Sequence, residues 1–211
     1  MKTVRIVIFA KAPIAGAVKT RLIPALGAQG AANLARRMLT HTVAEAVAAG
    51  AGPVELCVSP SPGESVWQSL ALPTNVSWSD QGNGDLGTRM ARAVRRVTEA
   101  GESILLIGTD CPQLDRSLLR AAANSLRHYD ATISPTTDGG YVLLGLRRYD
   151  PALFKDIVWS TPTVASETLS RLAQLGWTVQ HNPIVRDIDQ PDDLAYLPPS
   201  WLDLQQAEHG S

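Results

Sequence analysis

The stretch VRIVIFAKAPIAGAVKTRL, residues 4–22, joins an apolar run of strand length to a loop that carries three cations. Residues 4–10 predict a buried strand, and Pro13 and Gly16 break the pattern after it. The cations of the loop are Lys11, Lys19 and Arg21. Phosphate binds to compact positive charge and to free backbone N–H groups, and such a loop ahead of a helix offers both. The stretch therefore indicates a phosphate site; the alternative is a surface loop with solvated lysines.

Strand-length and helix-length patterns alternate through the rest of the chain. Apolar runs predict strands at 54–59, 76–79, 103–109, 132–135, 141–146 and 178–185. Amphipathic or alanine-rich segments predict helices at 28–49, 85–100 and 163–175. Such alternation is typical of a mainly parallel sheet with helices on both faces. We therefore expect a single α/β domain over residues 1–197, followed by a C-terminal tail at 198–211.

The composition favours one globular protein that binds its ligands locally. The 211 residues are 45% apolar, and their 19 basic and 20 acidic side chains leave a net charge of −1. No overall field draws such a protein to nucleic acid or to a membrane surface. No run approaches the roughly 18 apolar residues of a spanning helix, so we expect no membrane span and a cytoplasmic location. Cys57 and Cys111 lie far apart, which favours buried, reduced thiols over a disulfide or a zinc site.

The segment QGNGDLG, residues 81–87, precedes the second predicted helix. Gly82 and Gly84 allow close approach of the backbone, and the helix start would present N–H groups to a nucleotide or sugar. Arg89, one turn into the helix, is within reach of the same ligand. We therefore group Asp85 and Arg89 with these glycines as candidate nucleotide-binding residues. The alternative is an ordinary turn in which Asp85 is the helix N-cap and Arg89 faces solvent.

The segment GTDCP, residues 108–112, closes the most apolar predicted strand. An acid at the end of a buried strand, between Gly and Pro, is well placed to hold Mg²⁺ or Mn²⁺ on a diphosphate. Asp110 is therefore a candidate metal ligand and catalytic residue. Its alternative role is to cap the next helix, although Asp115 already stands where that cap is needed. From the segment RDIDQPDDL, residues 186–194, either Asp187 or Asp189 could supply a second carboxylate.

The segment PTTDGGY, residues 135–141, joins two predicted strands. Its adjacent glycines indicate unusual backbone angles, and Asp138 would then face a pocket for the acceptor or sugar, as a further catalytic candidate. The alternative is a plain hairpin turn, because Asp-Gly is a strong hairpin signal. The candidate acceptor residues are Gly139, Gly140, Tyr141, Trp159 and Ser160.

Six motifs in order give the chain a family resemblance. They are FAKAPxxGxVKTRL, QGxGDLGxRM, GTDCP, DGGYxLLGL, WST and DIDxPDDL, and the match spans roughly residues 4–197. The set resembles a bacterial family of small GT-A-like glycosyltransferases within the nucleotide-diphospho-sugar transferase superfamily. The resemblance implies a GT-A fold, with a mixed, mostly parallel sheet and a nucleotide pocket over its N-terminal half.

Two of these motifs also resemble other enzymes of the superfamily. The first loop is similar to that of phospholactate guanylyltransferases, which implies that Lys11, Lys19 and Arg21 contact phosphates. The last motif is similar to the VDTPEDL of sugar-activating cytidylyltransferases, which implies that Asp189 helps to bind metal. The chain also departs from common motifs of the superfamily. GTDCP has one carboxylate where many glycosyltransferases have D-x-D, and the LAAGxGTR run of typical nucleotidyltransferases is missing.

These motifs favour a transferase that uses a nucleotide-linked donor and Mg²⁺ or Mn²⁺. Glycosyl transfer from a nucleotide-sugar to a small acceptor ranks slightly ahead of nucleotidyl transfer from an NTP to a phosphorylated acceptor. A domain that binds a nucleotide or a partner without turnover is the alternative from another class. Homo-oligomerisation stays open. The predicted catalytic residues are Asp110, Lys19 and Asp138, and the predicted metal ligands are Asp110 and Asp189. The predicted donor-binding residues are Lys11, Pro13, Gly16, Lys19, Arg21, Gly82, Gly84, Asp85 and Arg89.

Overall fold

The computed structural model describes residues 2–201, in which seven strands form a single mixed sheet. The strands are β1 Val4–Lys11, β2 Val54–Ser59, β3 Ser77–Asp80, β4 Ser103–Ile107, β5 Ala131–Pro135, β6 Tyr141–Leu146 and β7 Val179–His181. Their order is β3-β2-β1-β4-β6-β5-β7, and β6 runs antiparallel to both of its neighbours. All other neighbours are parallel. The expected mostly parallel α/β sheet is confirmed.

Helices cover both faces of this sheet. The α-helices of the described residues are α1 Ile23–Ala49, α2 Leu86–Glu99, α3 Arg116–Ser125 and α4 Val164–Gln174. Alternate residues of β1 point to opposite faces: Ile6 and Ile8 pack with α1 and α3, and Val7 packs with α2 and α4. A strand buried on both faces is apolar at nearly every position, which is why β1 and β4 are evident in the sequence.

The carboxyl ends of four neighbouring strands meet at one edge of the sheet. Strands β1 to β4 are mutually parallel, so the loops that follow them emerge on the same side. Strand β6 begins at this edge because it is antiparallel to β4, with Leu143 opposite Ile107. In open α/β sheets this edge is where ligands bind. The topology therefore brings the basic loop, the glycine loop and the GTDCP segment together.

Most elements lie within two residues of the sequence-based expectation, and two differ by more. Helix α1 begins at Ile23 rather than at residue 28, because Gly27, with φ 70°, bends the chain within the helix instead of preceding it. Strand β7 ends at His181 rather than at residue 185. Pro183 has no N–H to pair, and beyond it Val185 makes a single bridge to Thr136.

The last described residues pack against α1. Trp201 is buried beside Leu34 and Met38, and Arg37 donates a hydrogen bond to the carbonyl oxygen of Ser200 at 2.7 Å. The predicted tail at 198–211 includes residues 202–211, which lie outside the described residues. The predicted division of the chain at residue 197 stays a prediction.

Both thiols are free and buried, as expected from their positions in the sequence. Burial raises the pKa of Cys57 and raises the pKa of Cys111 to about 11. Both thiols are therefore protonated at neutral pH. Between residues 2 and 201, no helix has the length and apolar character needed to cross a membrane.

Candidate functional site

A pocket of about 660 Å³ opens where the carboxyl ends of β1 and β4 meet the start of β6. We call it the carboxyl-edge pocket. Eight of the residues singled out in the sequence line it: Lys11, Lys19, Arg21, Arg89, Asp110, Tyr141, Ser160 and Asp189. They come from distant parts of the chain and are brought together by the sheet topology. This pocket is the candidate functional site.

Lys19 connects three segments at the centre of the pocket wall. Its ammonium donates to Oδ1 of Asp110 and to the carbonyl oxygen of Ile188, at 2.6 Å in each case. Only 4% of the Lys19 side chain is exposed, whereas 55% of the Asp110 side chain is. Lys19 has a left-handed backbone, with φ 45° and ψ 45°, a conformation that costs free energy and is frequent at functional sites. Lys19 therefore neutralises Asp110 from the protein side and leaves its carboxylate open to the pocket.

The other two cations of the basic loop lie nearer to solvent. Arg21 forms an ion pair with Asp189 in which both side chains are at least one-third exposed. Lys11, at the end of β1, lines the pocket and has no acidic partner within residues 2–201. Exposed ion pairs contribute little to stability, so Arg21 and Asp189 can exchange partners at low cost.

Gln81 belongs to the site and is absent from the sequence-based candidates. It is 4% exposed, and its Nε2 donates to the carbonyl oxygens of Ala10 and Cys57 at 3.1 and 3.0 Å. Its Oε1 accepts a hydrogen bond from Nη1 of Arg89 at 3.1 Å. Gln81 thus ties the ends of β1 and β2 to Arg89 and fixes this guanidinium in the pocket wall. The signal in the sequence was a polar residue between a strand and a glycine loop.

Five of the predicted donor-binding residues shape the neighbouring loops and do not line the pocket: Pro13, Gly16, Gly82, Gly84 and Asp85. The carboxylate of Asp85 caps α2 by accepting a hydrogen bond from the N–H of Thr88, which also lowers the pKa of Asp85. Arg92 donates to the carbonyl oxygens of Gln81 and Asn83. The glycine loop is therefore held by its own helix, with Asp85 as the N-cap of the turn alternative, and the predicted donor-binding roles of these residues stay predictions.

The DGG turn is a hairpin between β5 and β6. Oδ1 of Asp138 accepts hydrogen bonds from Oγ1 of Thr136 at 2.5 Å and from the N–H of Gly140 at 2.9 Å. Gly139 has φ 89°, and a Cβ there would lie 2.0 Å from the carbonyl oxygen of Pro162. The catalytic candidate Asp138 and both glycines lie outside the pocket lining. Their contacts are those of the hairpin alternative, and their predicted roles stay predictions.

The aromatic residues of the predicted acceptor set lie at the side of α2. Tyr141 is one of the residues that line the pocket, and its hydroxyl is buried and has no hydrogen-bond partner within residues 2–201. Burial raises the pKa of this hydroxyl. Trp159 packs against Gly87, where an added Cβ would lie 2.6 Å from the indole Nε1. Ser160, next to it, has φ 63° and lines the pocket.

Asp187 is a half-buried acid behind the pocket lining. Burial, together with the negative charges of Asp138 and Asp189, raises its pKa to about 6. It lies in the segment whose next residue, Ile188, donates its N–H to the carbonyl oxygen of Asp110 at 2.8 Å. Of the two acids considered in this segment, Asp189 lines the pocket and Asp187 does not.

The acids of the pocket fit a divalent cation that is shared with a bound phosphate. Within the described part of the chain, no three acidic, histidine or cysteine side chains come together as a complete metal site. Mg²⁺ is commonly held by one or two carboxylates, with substrate phosphates and water as its other ligands. Asp110 and Asp189 provide two carboxylates beside cations suited to phosphate. The donor set therefore suits a metal that binds together with its nucleotide.

The fold and the pocket define a protein of the nucleotide-diphospho-sugar transferase fold. A crystal structure from Desulfovibrio desulfuricans G20, described as a "putative nucleotide-diphospho-sugar transferase", superposes with a TM-score of 0.85 at 29% identity. The match covers 98% of this chain and 90% of the other. The expected GT-A-like fold and the resemblance to this superfamily are confirmed.

Residues 42–161 match the family described as "Uncharacterized protein conserved in bacteria (DUF2064)", and the chain belongs to this family. The matched segment contains Arg89, Asp110 and Asp138, whereas the basic loop and Asp189 lie outside it. A comparison with curated proteins finds no match.

More distant structures share the fold. CMP:2-keto-3-deoxy-manno-octonic acid synthetase, solved with CTP, has a TM-score of 0.56 at 12% identity, with 92% of this chain and 96% of the other covered. Rv0371c from Mycobacterium tuberculosis H37Rv, solved with manganese, has a TM-score of 0.50 at 16% identity, with 93% and 98% covered. At such identities the likeness shows the fold alone.

Proposed function

We propose that this protein is a divalent-metal-dependent transferase that uses a nucleotide-linked donor, with glycosyl transfer from a nucleotide-sugar to a small acceptor as the first candidate. The observation that carries the proposal is the carboxyl-edge pocket, where Lys11, Lys19 and Arg21 lie beside Asp110 and Asp189. Cations and carboxylates in one pocket suit a diphosphate together with a metal ion. The Desulfovibrio structure, described as a transferase of this class, supports it.

The two ion pairs of the pocket suit an exchange of partners on donor binding. Lys19 pairs with Asp110, and Arg21 pairs with Asp189. A metal bound with a diphosphate would offer a cation to the two acids and phosphate oxygens to the two bases. Each charged group in the pocket would then keep a partner of opposite charge, and this attraction would offset the cost of removing the group from water. Lys11, which has no acidic partner in the described chain, would add a third phosphate contact.

Asp110 and Asp189 would hold Mg²⁺ or Mn²⁺. Bound there, the cation would supply charge stabilisation to a departing phosphate group. Rv0371c, which shares the fold, was solved with manganese. The protein's own residues contribute the cationic wall, and Gln81 orients Arg89 toward the same ligand.

In the glycosyl step, an acceptor hydroxyl oxygen would form a bond to the anomeric carbon while the bond from that carbon to the diphosphate oxygen breaks. The nucleoside diphosphate leaves with the electron pair, and Lys11, Lys19 and Arg21 stabilise its charge. The hydroxyl proton passes to a base or to water. Ser160 and Tyr141 border the pocket where the acceptor would lie.

Nucleotidyl transfer is the second candidate, and the charge of the basic loop favours it. Here an acceptor phosphate oxygen would bond to the α-phosphorus of an NTP, and the bond to the β-phosphate oxygen would break and release pyrophosphate. Pyrophosphate carries more charge than a diphosphate ester, and all three cations of the basic loop line the pocket. The synthetase solved with CTP shares the fold at 12% identity.

A thermal-shift screen of NTPs and nucleotide-sugars, each with and without Mg²⁺ or Mn²⁺, tests the proposal. Binding to the folded state raises the melting temperature, and a metal-dependent rise for one ligand class identifies the donor. Incubation of that donor with candidate acceptors then distinguishes release of nucleoside diphosphate from release of pyrophosphate. Metal-dependent binding without either product would support a non-catalytic nucleotide-binding domain. A melting temperature that no nucleotide changes would overturn the donor site.

A further inference from the structure

A second cavity, of about 500 Å³, lies at the opposite edge of the sheet. We call it the amino-edge cavity, because β1 and β4 begin there; the end of β6 and the carboxyl ends of α1 and α3 complete it. Four cationic side chains line it: Lys2, Arg120, Arg127 and Arg147. In the described part of the chain, no acidic residue belongs to its lining. We propose that the amino-edge cavity binds a small, multiply charged anion, such as a short polyphosphate or a phosphorylated metabolite.

Two of the four cations are bound to backbone carbonyls and two are free. Arg120 donates to the last carbonyl oxygens of α1 at 2.9 and 3.2 Å, and Lys2 donates to the carbonyl oxygen of Arg147 at 3.3 Å. The guanidiniums of Arg127 and Arg147 make no hydrogen bond and no ion pair within residues 2–201. Two complete guanidinium forks therefore remain available to a ligand in the cavity.

The nearby acid Asp130 lies outside the cavity lining and offsets only part of the charge of Arg147. The pKa of Asp130 is lowered by hydrogen bonds from Thr178 and by the charges of Arg148 and Arg147. Its carboxylate accepts hydrogen bonds from Thr178 and pairs with Arg148 at 3.6 Å, outside the cavity lining. Cations near helix carboxyl ends also complement the helix dipole, which accounts for Arg120. The helix dipole does not account for Arg147, because this residue follows strand β6.

The shape and the donor groups select the class of ligand. A concave cavity of about 500 Å³ has the size of a small-molecule site, whereas an extended nucleic acid strand needs a longer groove. Guanidinium forks bind phosphate oxygens in a bidentate manner. The chain as a whole carries a net charge of −1, so the attraction of this cavity for anions comes from its own cations and not from the overall charge.

The amino-edge cavity is separate from the carboxyl-edge pocket. Val4 lines the cavity at one end of β1, and Lys11 lines the pocket at the other. The seven residue-to-residue steps from Val4 to Lys11, at about 3.3 Å each, place these ends about 23 Å apart. One small anion cannot reach both sites, so each site would bind its own anion.

Isothermal titration with inorganic tripolyphosphate tests the proposal on the full chain. The wild-type protein should show a binding event that survives Arg21→Gln, a change in the carboxyl-edge pocket. The double variant Arg127→Gln/Arg147→Gln should weaken that event roughly tenfold or more, because each charge-assisted contact to phosphate is lost. Neither side chain makes a hydrogen bond in the described structure, so the double variant should melt at the wild-type temperature. The two variants thus separate this cavity from the proposed donor site.

The matched control is Arg36→Gln/Arg95→Gln, which removes two positive charges elsewhere on the surface. Arg36 bonds to Ser69 and Arg95 pairs with Glu99, away from the cavity. An equal loss in this control would mean that net charge alone attracts the anion, and it would overturn the proposal. So would a single binding event that Arg21→Gln abolishes. Tighter binding of a single-stranded oligonucleotide at Arg127 and Arg147 would also overturn the small-anion assignment.

Discussion

The ammonium of Lys19 lies 2.6 Å from Oδ1 of Asp110, although 91 residues separate the two in sequence. The same ammonium lies 2.6 Å from the carbonyl oxygen of Ile188. One buried cation therefore joins the loop after β1, the segment after β4 and the segment after β7. Its charge supports both the local fold and, in our proposal, the binding of phosphate.

Lys19→Ala should lower stability and weaken phosphate binding together. The free energy of unfolding should fall by about 1–3 kcal/mol, because a carboxylate and a carbonyl lose a buried charged donor. Affinity for a nucleoside triphosphate should fall more than affinity for the nucleoside. Urea unfolding and titration calorimetry measure the two effects. Lys11→Ala is the matched control: Lys11 is exposed and has no acidic partner within residues 2–201, so only phosphate binding should weaken. Equal losses for nucleoside and triphosphate would contradict the role of Lys19.

Asp110→Asn should abolish the effect of metal on nucleotide binding and leave the fold intact. The amide keeps the shape of the carboxylate but lacks the charge that Mg²⁺ or Mn²⁺ requires, so metal-enhanced affinity should drop at least roughly tenfold. The measurement is nucleotide affinity with Mn²⁺ and with EDTA. Asp192→Asn changes an exposed acid outside the pocket and should behave as wild type. Unchanged metal dependence in Asp110→Asn would remove this residue from the metal site.

Gln81 and Arg89 should act as one unit in nucleotide binding. Gln81→Met removes the acceptor that fixes the Arg89 guanidinium and leaves two strand-end carbonyls without their donor. Stability should fall by about 1–3 kcal/mol. Nucleotide affinity should fall as much in Gln81→Met as in Arg89→Met, with no further loss in the double variant. Arg95→Met, on the same helix but outside the carboxyl-edge pocket, is the control. Additive losses would show that the two side chains act separately.

The residues at strand ends were predictable and the contacts between side chains were not. Asp110 and Lys11 were identified because β1 and β4 are apolar on both faces, and parallel strands place their carboxyl ends together. Gln81 was missed because its importance depends on carbonyls of Ala10 and Cys57, which only the folded sheet brings near. The periodicity of a sequence does not show which backbone carbonyls a distant side chain will contact in the folded protein.

Local interactions explain the remaining differences. At Asp85 and Asp138 the sequence allowed both a ligand contact and a local cap or turn, and the structure shows the local hydrogen bonds. Hydrogen bonds from the following N–H groups to an aspartate side chain form without tertiary contacts. At every such position, this local role competes with ligand binding for the same carboxylate. A functional role for these two residues would have to coexist with that local role.

Asp187→Asn should stabilise the protein at neutral pH. Burial and the charges of Asp138 and Asp189 raise the pKa of Asp187 to about 6, above its ordinary 3.8. The protonated acid is therefore favoured in the folded state, and its stabilising contribution is lost as the pH rises through about 6. The amide cannot ionise, so the variant should gain on the order of 1 kcal/mol at neutral pH and nothing at pH 4. Urea unfolding at the two pH values measures this, and an equal gain at both would contradict the assignment.

Glu45→Gln should make the free energy of unfolding depend less on pH between pH 4.5 and pH 2. On α1, the Glu45 carboxylate accepts three hydrogen bonds from Arg116 at the start of α3, at 2.6, 2.7 and 3.0 Å. These bonds lower the pKa of Glu45 from 4.5 to about 2. A lowered pKa means that the pair stabilises the fold above the unfolded value of about 4.5 and that this contribution is lost as the pH falls toward 2.

The variant should therefore lose on the order of 1–2 kcal/mol of unfolding free energy at neutral pH, a figure reduced because Arg116 is largely exposed. The difference from wild type should shrink steadily between pH 4.5 and pH 2, as urea unfolding across this range would record. Glu99→Gln is the control, because Glu99 forms an exposed pair with Arg95 on one helix, worth about 0.5 kcal/mol or less. Parallel stability curves for Glu45→Gln and wild type below pH 4.5 would mean that the link between α1 and α3 does not depend on the charge of Glu45.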